Sequence, residues 1–188
     1  SGGGPAWDYA NPITEKANPF KELPKNVPAA TAGNSRALHI KIMNHPNTFM
    51  VTSTDLGAGI HPINKSGYGA RAALVAQNAV YGGKGEYYGP LYASHEAKHG
   101  ALVVRFSHTG RGLAFKGGDK LQGFTIAGAD GKMVWADAKI EGDTVIVSSP
   151  AVPQPVHVRY AWDNPTPWAN LFNQDGLPAQ SFATDAKE

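Results

Sequence analysis

The chain has 188 residues, of which 41% are hydrophobic and 17% charged, a composition that supports a packed core and argues against global disorder. Its net charge is only +2 and its basic residues are scattered, so the sequence predicts no nucleic-acid partner. The absence of cysteine excludes disulfides, thiolate metal sites and cysteine nucleophiles. No apolar run approaches the roughly 20 residues of a membrane-spanning helix, so no membrane partner is expected either.

Residues 1–35 are predicted to form a proline-rich extended segment. Proline at this density prevents a continuous helix and removes the N–H donors that a β-ladder needs. The segment nevertheless carries side chains suited to burial, namely Trp7, Tyr9, Phe20 and Leu23. We therefore expect it to pack along the surface of a larger folded body.

Residues 36–91 are predicted to hold one strand and one long helix. The pattern in residues 36–44 fits a helix or a strand equally well, whereas residues 49–54 are apolar and β-branched, as in a strand buried on both faces. A glycine-rich loop follows, and residues 66–80 then have helical character. Ser66 is the expected cap, and the expected buried residues are Leu74, Val75, Ala79 and Val80.

A single strand followed by a helix is half of a parallel α/β unit. Parallel strands need covered neighbours, and no second strand of this type precedes residues 49–54. The missing strands are therefore expected on another polypeptide, or on a part of the chain that is no longer attached.

Residues 92–188 are predicted to form an antiparallel β-sandwich. Short strands alternate there with glycine-containing turns, among them Asp130-Gly131 and Glu141-Gly142-Asp143. The predicted strands are residues 101–106, 121–127, 132–135, 137–140, 144–148 and 156–162.

Residues 95–99 match the H-E-x-x-H pattern of zinc proteases, but their context argues against a zinc site. The pattern requires a long helix that places both histidines on one face. Here Gly89 and Pro90 lie just upstream, and Gly100 leads at once into a predicted strand. We therefore expect neither a metal nor an organic cofactor, although a zinc peptidase remains a third, less favoured reading.

His61 is the strongest candidate for a catalytic side chain. It lies on a glycine-rich loop between the predicted strand and helix, at the carboxyl end of the strand, where open α/β sheets place their chemistry. Asp55 begins the same loop and is a candidate carboxylate for orienting His61. On the residues alone, a solvent-exposed turn histidine is the more common interpretation of His61, and Asp55 can be a strand-end residue that caps loop amides. No serine in the chain lies on a tight turn after a strand.

A series of short motifs follows one another along the chain. In chain order they are TDLG (54–57), IHPINK (60–65), a small-residue helix ending at Tyr81-Gly82, GPLY (89–92), LQGFTIAG (121–128), WADA (135–138), VHVRYAW (156–162), NLFN (170–173) and GLP (176–178). Together these motifs resemble the last catalytic block and the following domain of the sialate O-acetylesterase family, which are carbohydrate acetylesterases with an SGNH-hydrolase core. The resemblance runs from about Phe20 to Asp185, and the order and spacing of its motifs are more specific than any one of them.

The resemblance implies that His61 is the catalytic histidine, taking a proton from a serine that attacks an acetyl ester. In the family that serine belongs to a Gly-Gln-Ser-Asn block near the start of the core, and this chain has no such block. Many bacterial members have an aspartate two residues before the histidine, where this sequence has Gly59. The implied fold is α/β plus all-β, with residues 36–91 as the C-terminal strand–loop–helix part of a three-layer α/β/α SGNH core.

On this hypothesis the chain is the C-terminal portion of a serine carbohydrate acetylesterase. Its partners are the N-terminal part of the enzyme, which carries the nucleophilic serine, and an O-acetylated carbohydrate such as sialic acid or a hemicellulose. The substrate class implies a periplasmic or secreted location.

The alternative is a non-catalytic β-sandwich carbohydrate-binding module with a proline-rich linker. It would use Trp135, Trp162 or Trp168 as a platform for sugar rings. Tryptophans more often fill a core or a seam between units, so a structural role is favoured.

Overall fold

The computed structural model describes residues 20–29, 33–56, 64–163 and 166–186. Helix α1 spans Gly33–Ile42, and helix α2 spans Lys65–Val75 and continues as a π-helical turn over Ala76–Val80. None of the helices in these ranges is long and apolar enough to cross a membrane.

The ambiguous segment 36–44 is helical, since α1 ends at Ile42 and packs against the last strand of the chain. Leu38 and Ile42 remain 58% and 44% exposed. The helix therefore buries only part of its apolar surface within the described structure.

The predicted strand at residues 49–54 does not form. Residues 48–53 have neither helical, turn nor strand structure, and no β-ladder includes them. A strand is defined by the ladder bonds of its neighbours, and no described segment makes them with residues 49–54. The prediction of a strand buried on both faces is therefore wrong for the described structure, in which Phe49 is 41% exposed.

Ten strands lie between Leu91 and Ala183. They are β1 Leu91–Lys98, β2 Ala101–Ser107, β3 Leu113–Phe115, β4 Phe124–Ala127, β5 Val134–Trp135, β6 Asp137–Glu141, β7 Thr144–Ser148, β8 His157–Tyr160, β9 Leu171–Asn173 and β10 Phe182–Ala183. All their pairings are antiparallel, in the sheet orders β1-β2-β7-β6 and β10-β8-β4-β5, with β3 and β9 as a separate pair.

The two predicted glycine hairpins are present. Gly131 and Gly142 both have positive φ, 68° and 59°, in the β4–β5 and β6–β7 connections. Strands β1, β3, β9 and β10 were not predicted. The last three are only two or three residues long, too short to give a period in the sequence.

Both four-stranded sheets contribute side chains to one hydrophobic core. In β2 and β7 alternate residues are buried, whereas all four residues of β4 are buried. The fully buried members of this core are Leu102, Val104, Phe124, Ile126, Val145, Val147, Val158 and Leu171.

Buried amide side chains hold the connections around this core. Asn170 is fully buried; its Oδ1 accepts from the Gln122 N–H at 2.8 Å and its Nδ2 donates to the carbonyls of Gly117 and Lys120. Asn173 is also fully buried; its Oδ1 accepts from the Leu177 N–H and its Nδ2 donates to the Tyr88 carbonyl. Several of the sequence motifs thus satisfy backbone groups of loops that would otherwise be buried without partners.

Residues 20–29 run alongside the strands without forming helix or strand. The Lys21 N–H donates to the Pro167 carbonyl, and the Lys21 carbonyl accepts from Gln122 Nε2. The Pro24 carbonyl accepts from Trp135 Nε1 at 2.9 Å. This segment is therefore attached to the strand region through hydrogen bonds of its backbone. Proline has no backbone N–H, but its carbonyl oxygen can still accept a hydrogen bond, as that of Pro24 does.

Gly89, in the GPLY motif, allows a close approach between two backbones. A Cβ atom at this position would overlap the Pro178 carbonyl oxygen and come within 2.9 Å of the Leu177 carbonyl oxygen. Backbone atoms cannot move aside as a flexible side chain does. Gly89 therefore allows the backbone just before β1 to pack directly against the backbone of residues 177–178.

Replacing Gly89 by alanine should lower the free energy of unfolding by about 1–3 kcal/mol, because the added methyl group overpacks a backbone contact. Gly69→Ala is the matched control: Gly69 lies in α2 with open space around it, and alanine there should stabilise the helix by up to about 1 kcal/mol. Urea unfolding of both variants measures the difference, and equal midpoints would contradict this packing.

The C-terminal residues are held to β8 by a two-point ion pair. Arg159 Nε and a terminal nitrogen donate to the two Asp185 oxygens at 2.8 and 2.6 Å. Burial by itself raises the pKa of Asp185, but the hydrogen bonds and charge of Arg159 outweigh it and hold the pKa below its usual value.

Because the folded pKa of Asp185 lies below the unfolded one, the stabilisation is complete above about pH 4 and is lost as the pH falls through the folded pKa. Asp185→Asn should therefore lower stability at pH 7 and flatten the loss of stability as the pH falls below about 4. Urea unfolding across this range measures both effects. Asp137→Asn is the control, since its pair with Lys120 is exposed; an acid profile unchanged by Asp185→Asn would disprove the coupling.

Candidate active site

Asp55 and Arg71 form a buried ion pair. Two terminal nitrogens of Arg71 donate to the two carboxylate oxygens of Asp55, at 2.6 and 2.7 Å. The Arg71 side chain is 3% exposed and that of Asp55 11% exposed. Arg71 also donates to the Thr52 carbonyl at 2.7 Å. One guanidinium thus binds both the Asp55 carboxylate and the backbone of the segment that precedes residues 57–63.

The helical repeat of α2 places Arg71 on the buried face of the helix. Gly67, Arg71 and Val75 are the buried residues of the helix, spaced four apart on one face. Asn64, not the predicted Ser66, caps the helix: its Oδ1 accepts from the Gly67 N–H at 2.8 Å. An N-cap residue stands just before the first helical residue, which here is Lys65. Ser66 is already inside the first turn and so cannot cap the helix.

His61 lies outside the described residues, within the undescribed range 57–63. The described residues that flank this range are Leu56, which is fully buried, and Asn64, which is 7% exposed and caps α2. The role of Asp55 in orienting His61 stays a prediction. It is chemically compatible with the ion pair, since a carboxylate has about four lone-pair sites and Arg71 uses two of them.

A small cavity of about 30 Å³ lies beside Asp55. Its walls include Phe20, Thr54, Tyr160 and Thr166. A space of this size accepts about one or two water molecules. Residues from the 20–29 segment, from 54–55 and from β8 therefore meet at this cavity.

Tyr160 is the other ionisable side chain at this cavity. It is 2% exposed, and its hydroxyl oxygen accepts from the Leu171 N–H at 2.8 Å. Burial raises the pKa of Tyr160 well above its ordinary value; the Leu171 hydrogen bond opposes this, and the nearby Asp55 charge adds to it. The phenol is therefore neutral at physiological pH.

The H-E-x-x-H residues lie on a hairpin, not on a helix. His95 and Glu96 are in β1, and His99 is in the turn after it with φ 50°. His95 Nδ1 bonds with the Tyr92 hydroxyl at 2.7 Å, and Glu96 pairs with Arg105 across the sheet. Within the described ranges, no group of three or more His, Asp or Glu side chains is placed to hold a metal ion.

The tryptophans of the predicted sugar platform lie between the β-strands and the 20–29 segment. Trp162 and Trp168 are each 6% exposed, and Trp135 makes an edge contact with Trp168 at 5.1 Å between ring centres. With Val27 and Pro28 they line a void too small for a sugar. The structural role favoured from the sequence matches these contacts.

Glu86 and His108 form a carboxylate–histidine pair that the sequence did not predict. Glu86 and His108 Nδ1 are 2.8 Å apart, 22 residues apart in the chain, and the rings of Tyr87 and Tyr88 pack edge-on against His108. Burial raises the pKa of Glu86, but its hydrogen bonds with His108 and with the backbone of Tyr88 and Tyr87 outweigh it, so that the pKa is lowered. Nothing in the local sequence brings these residues together.

Arg71 was also missed, although its signal was available. It is the one charged residue at the four-residue spacing of the buried helix face, between two small or apolar positions. A charge at such a position requires a buried partner. Asp55 was the nearest carboxylate before the helix.

No protein-family model matches this chain, and no curated protein matches it. Among solved structures, the chain is similar to a carbohydrate acetylesterase from Xanthomonas citri, with 43% sequence identity and a TM-score of 0.68. The similarity covers 71% of this chain and 31% of that one, so this chain spans about a third of the length of its relative. The finding supports a relationship to a carbohydrate acetylesterase, as the motifs predicted.

Arg71→Met should lower the free energy of unfolding by about 3–5 kcal/mol, because it leaves the Asp55 charge buried without its partner. Arg105→Met is the matched control: its pair with Glu96 is 49% and 55% exposed and should cost less than about 1 kcal/mol. Urea unfolding compares the two. A second substitution, Asp55→Asn, should recover part of the Arg71→Met loss, and its failure to do so would contradict the ion pair's role.

Proposed function

We propose that this chain is the C-terminal portion of a serine carbohydrate acetylesterase and that it supplies the catalytic histidine, His61. The supporting observation is the 43% identity with a carbohydrate acetylesterase over 71% of this chain. The nucleophilic serine is carried by a polypeptide outside this sequence. Residues 36–91 belong to an SGNH core that this polypeptide completes, and residues 92–188 form a β-sandwich domain.

In the first half-reaction the serine hydroxyl attacks the acetyl carbonyl while His61 takes its proton. The tetrahedral intermediate collapses, the bond to the sugar oxygen breaks, and the sugar leaves with the proton that His61 returns. In the second half-reaction His61 takes a proton from water, which attacks the acetyl-serine. Acetate leaves and the serine regains its proton.

Asp55 accepts a hydrogen bond from the His61 ring in this mechanism and so fixes its orientation. Its two bonds with Arg71 prevent the carboxylate from rotating away. Donors that stabilise the oxyanion come from the serine-carrying part.

The substrates proposed are O-acetylated sugars, either sialic acid or a hemicellulose such as xylan or xyloglucan. Such substrates place the enzyme in the periplasm or outside the cell. Acetate release from acetylated sialic acid and from acetylated xylan, measured in parallel, distinguishes the two classes.

The test is His61→Ala in the assembled enzyme, with fluorophosphonate labelling to locate the serine. We expect kcat for acetate release to fall by about 10³-fold or more, with the complex intact and the label on the partner polypeptide. His45→Ala is the control, because His45 is an exposed turn residue in the described part of the chain. Full activity of the His61 variant, or full activity of the isolated chain, would refute the proposal.

A further inference from the structure

We infer that Gln180, near the end of the chain, is a positioning residue for the active site: it holds Thr52, and Thr52 helps to hold the ion pair of Asp55. The role rests on the proposed function, in which Asp55 orients His61. The hydrogen bonds that carry the inference all join described residues.

Thr52 is bound through both its backbone and its side chain. Its carbonyl oxygen accepts from Arg71 at 2.7 Å, and its hydroxyl donates to Gln180 Oε1 at 2.9 Å. The same terminal nitrogen of Arg71 also donates to Asp55 at 2.6 Å. Because the guanidinium is a planar, rigid group, a shift of the Thr52 carbonyl changes the direction of its bonds with Asp55.

Gln180 is itself held firmly. It is 6% exposed, and its N–H donates at 3.0 Å to the carbonyl of Pro90, the residue just before β1. Strand β10, which pairs with β8, begins two residues later at Phe182. A buried side chain on an anchored backbone keeps its conformation, so the amide oxygen is a fixed acceptor for Thr52.

The segment around Thr52 depends on such side-chain bonds. Residues 48–53 form neither helix nor strand, so no ladder of backbone bonds holds them. Three side chains join this segment to the rest of the described structure: Tyr88 accepts from the Met50 N–H, Arg71 binds the Thr52 carbonyl, and Gln180 binds the Thr52 hydroxyl. Gln180 Nε2 also lies 3.8 Å from Met50 Sδ.

Loss of the bond between Thr52 and Gln180 should therefore act on the reaction through Asp55. A displacement of about 1 Å in a group that orients a catalytic side chain can lower the rate about 100-fold, even when its cause is distant. Sugar binding should change little, because neither Thr52 nor Gln180 contacts the substrate in the proposed mechanism.

Thr52→Val in the assembled enzyme tests the inference, since it removes the hydroxyl and nearly keeps the shape. We expect kcat for acetate release to fall about tenfold or more, with KM within about twofold of its original value. Fluorophosphonate titration, carried to completion, counts active sites, so that a loss of folded enzyme does not count as a loss of kcat. Thr52→Ser keeps the hydroxyl and should retain kcat within about threefold.

Thr144→Val is the matched control. It removes a threonine hydroxyl that donates to the Glu141 carbonyl at 2.8 Å in the β6–β7 hairpin, and kcat per active site should not change. An equal loss of kcat in Thr144→Val and Thr52→Val would overturn the inference, as would an equal loss in Thr52→Ser and Thr52→Val.

Gln180→Met tests the other side of the same bond. It removes the acceptor oxygen at similar side-chain length and should lower kcat as Thr52→Val does. The double variant should be no worse than the more damaging single one, because both substitutions remove one interaction. Unchanged kcat in both single variants, or losses that multiply in the double variant, would contradict the positioning role.

His61→Ala separates this inference from the proposed function. An inactive His61 variant beside a fully active Thr52→Val enzyme refutes the positioning role alone. Full activity of the His61 variant refutes the proposed function, and the positioning role with it.

Discussion

The ion pair between Asp55 and Arg71 joins the two parts of the chain that flank the proposed catalytic loop. Arg71 stands on α2, after the loop, and Asp55 and Thr52 stand before it. Because both charges are buried, neither can be removed singly without leaving the other in a medium that solvates it poorly. The pair therefore holds together the described residues on either side of 57–63, and the proposed orientation of His61 by Asp55 depends on it.

Hydrogen bonds connect the segment that carries Asp55 to distant parts of the chain. Gln180 accepts from the Thr52 hydroxyl through its side chain, while its own N–H donates to the Pro90 carbonyl. The segment carrying Asp55 is in this way tied to the last part of the chain, some 125 residues later. The buried side-chain amides of Asn170 and Asn173 likewise bind backbone groups of distant segments. Many residues of the motifs that resemble an acetylesterase therefore connect one segment of the chain to another.

These connecting residues account for the family resemblance, although each motif taken singly has low specificity. A buried amide, a glycine at a backbone contact and a capping asparagine each tolerate few substitutions, and each has a fixed place in the order of the chain. The 43% identity with a carbohydrate acetylesterase supports a relationship to such enzymes. The roles of His61 and Asp55 belong to the proposal, because His61 lies outside the described residues.

The sequence by itself determined the local features: helix α2, the two glycine hairpins and the alternating strands β2 and β7, because periodicity, turn glycines and β-branched residues act over a few neighbouring positions. It also argued against a zinc-binding helix at residues 95–99, since Pro90 and the strand after Gly100 leave little room for one. Only the tertiary structure decided that residues 49–54 have no strand partner among the described residues, that Arg71 contacts Asp55, and that Glu86 contacts His108. Ladder partners and buried ion pairs join residues distant in the chain, and no local pattern records which of them come into contact.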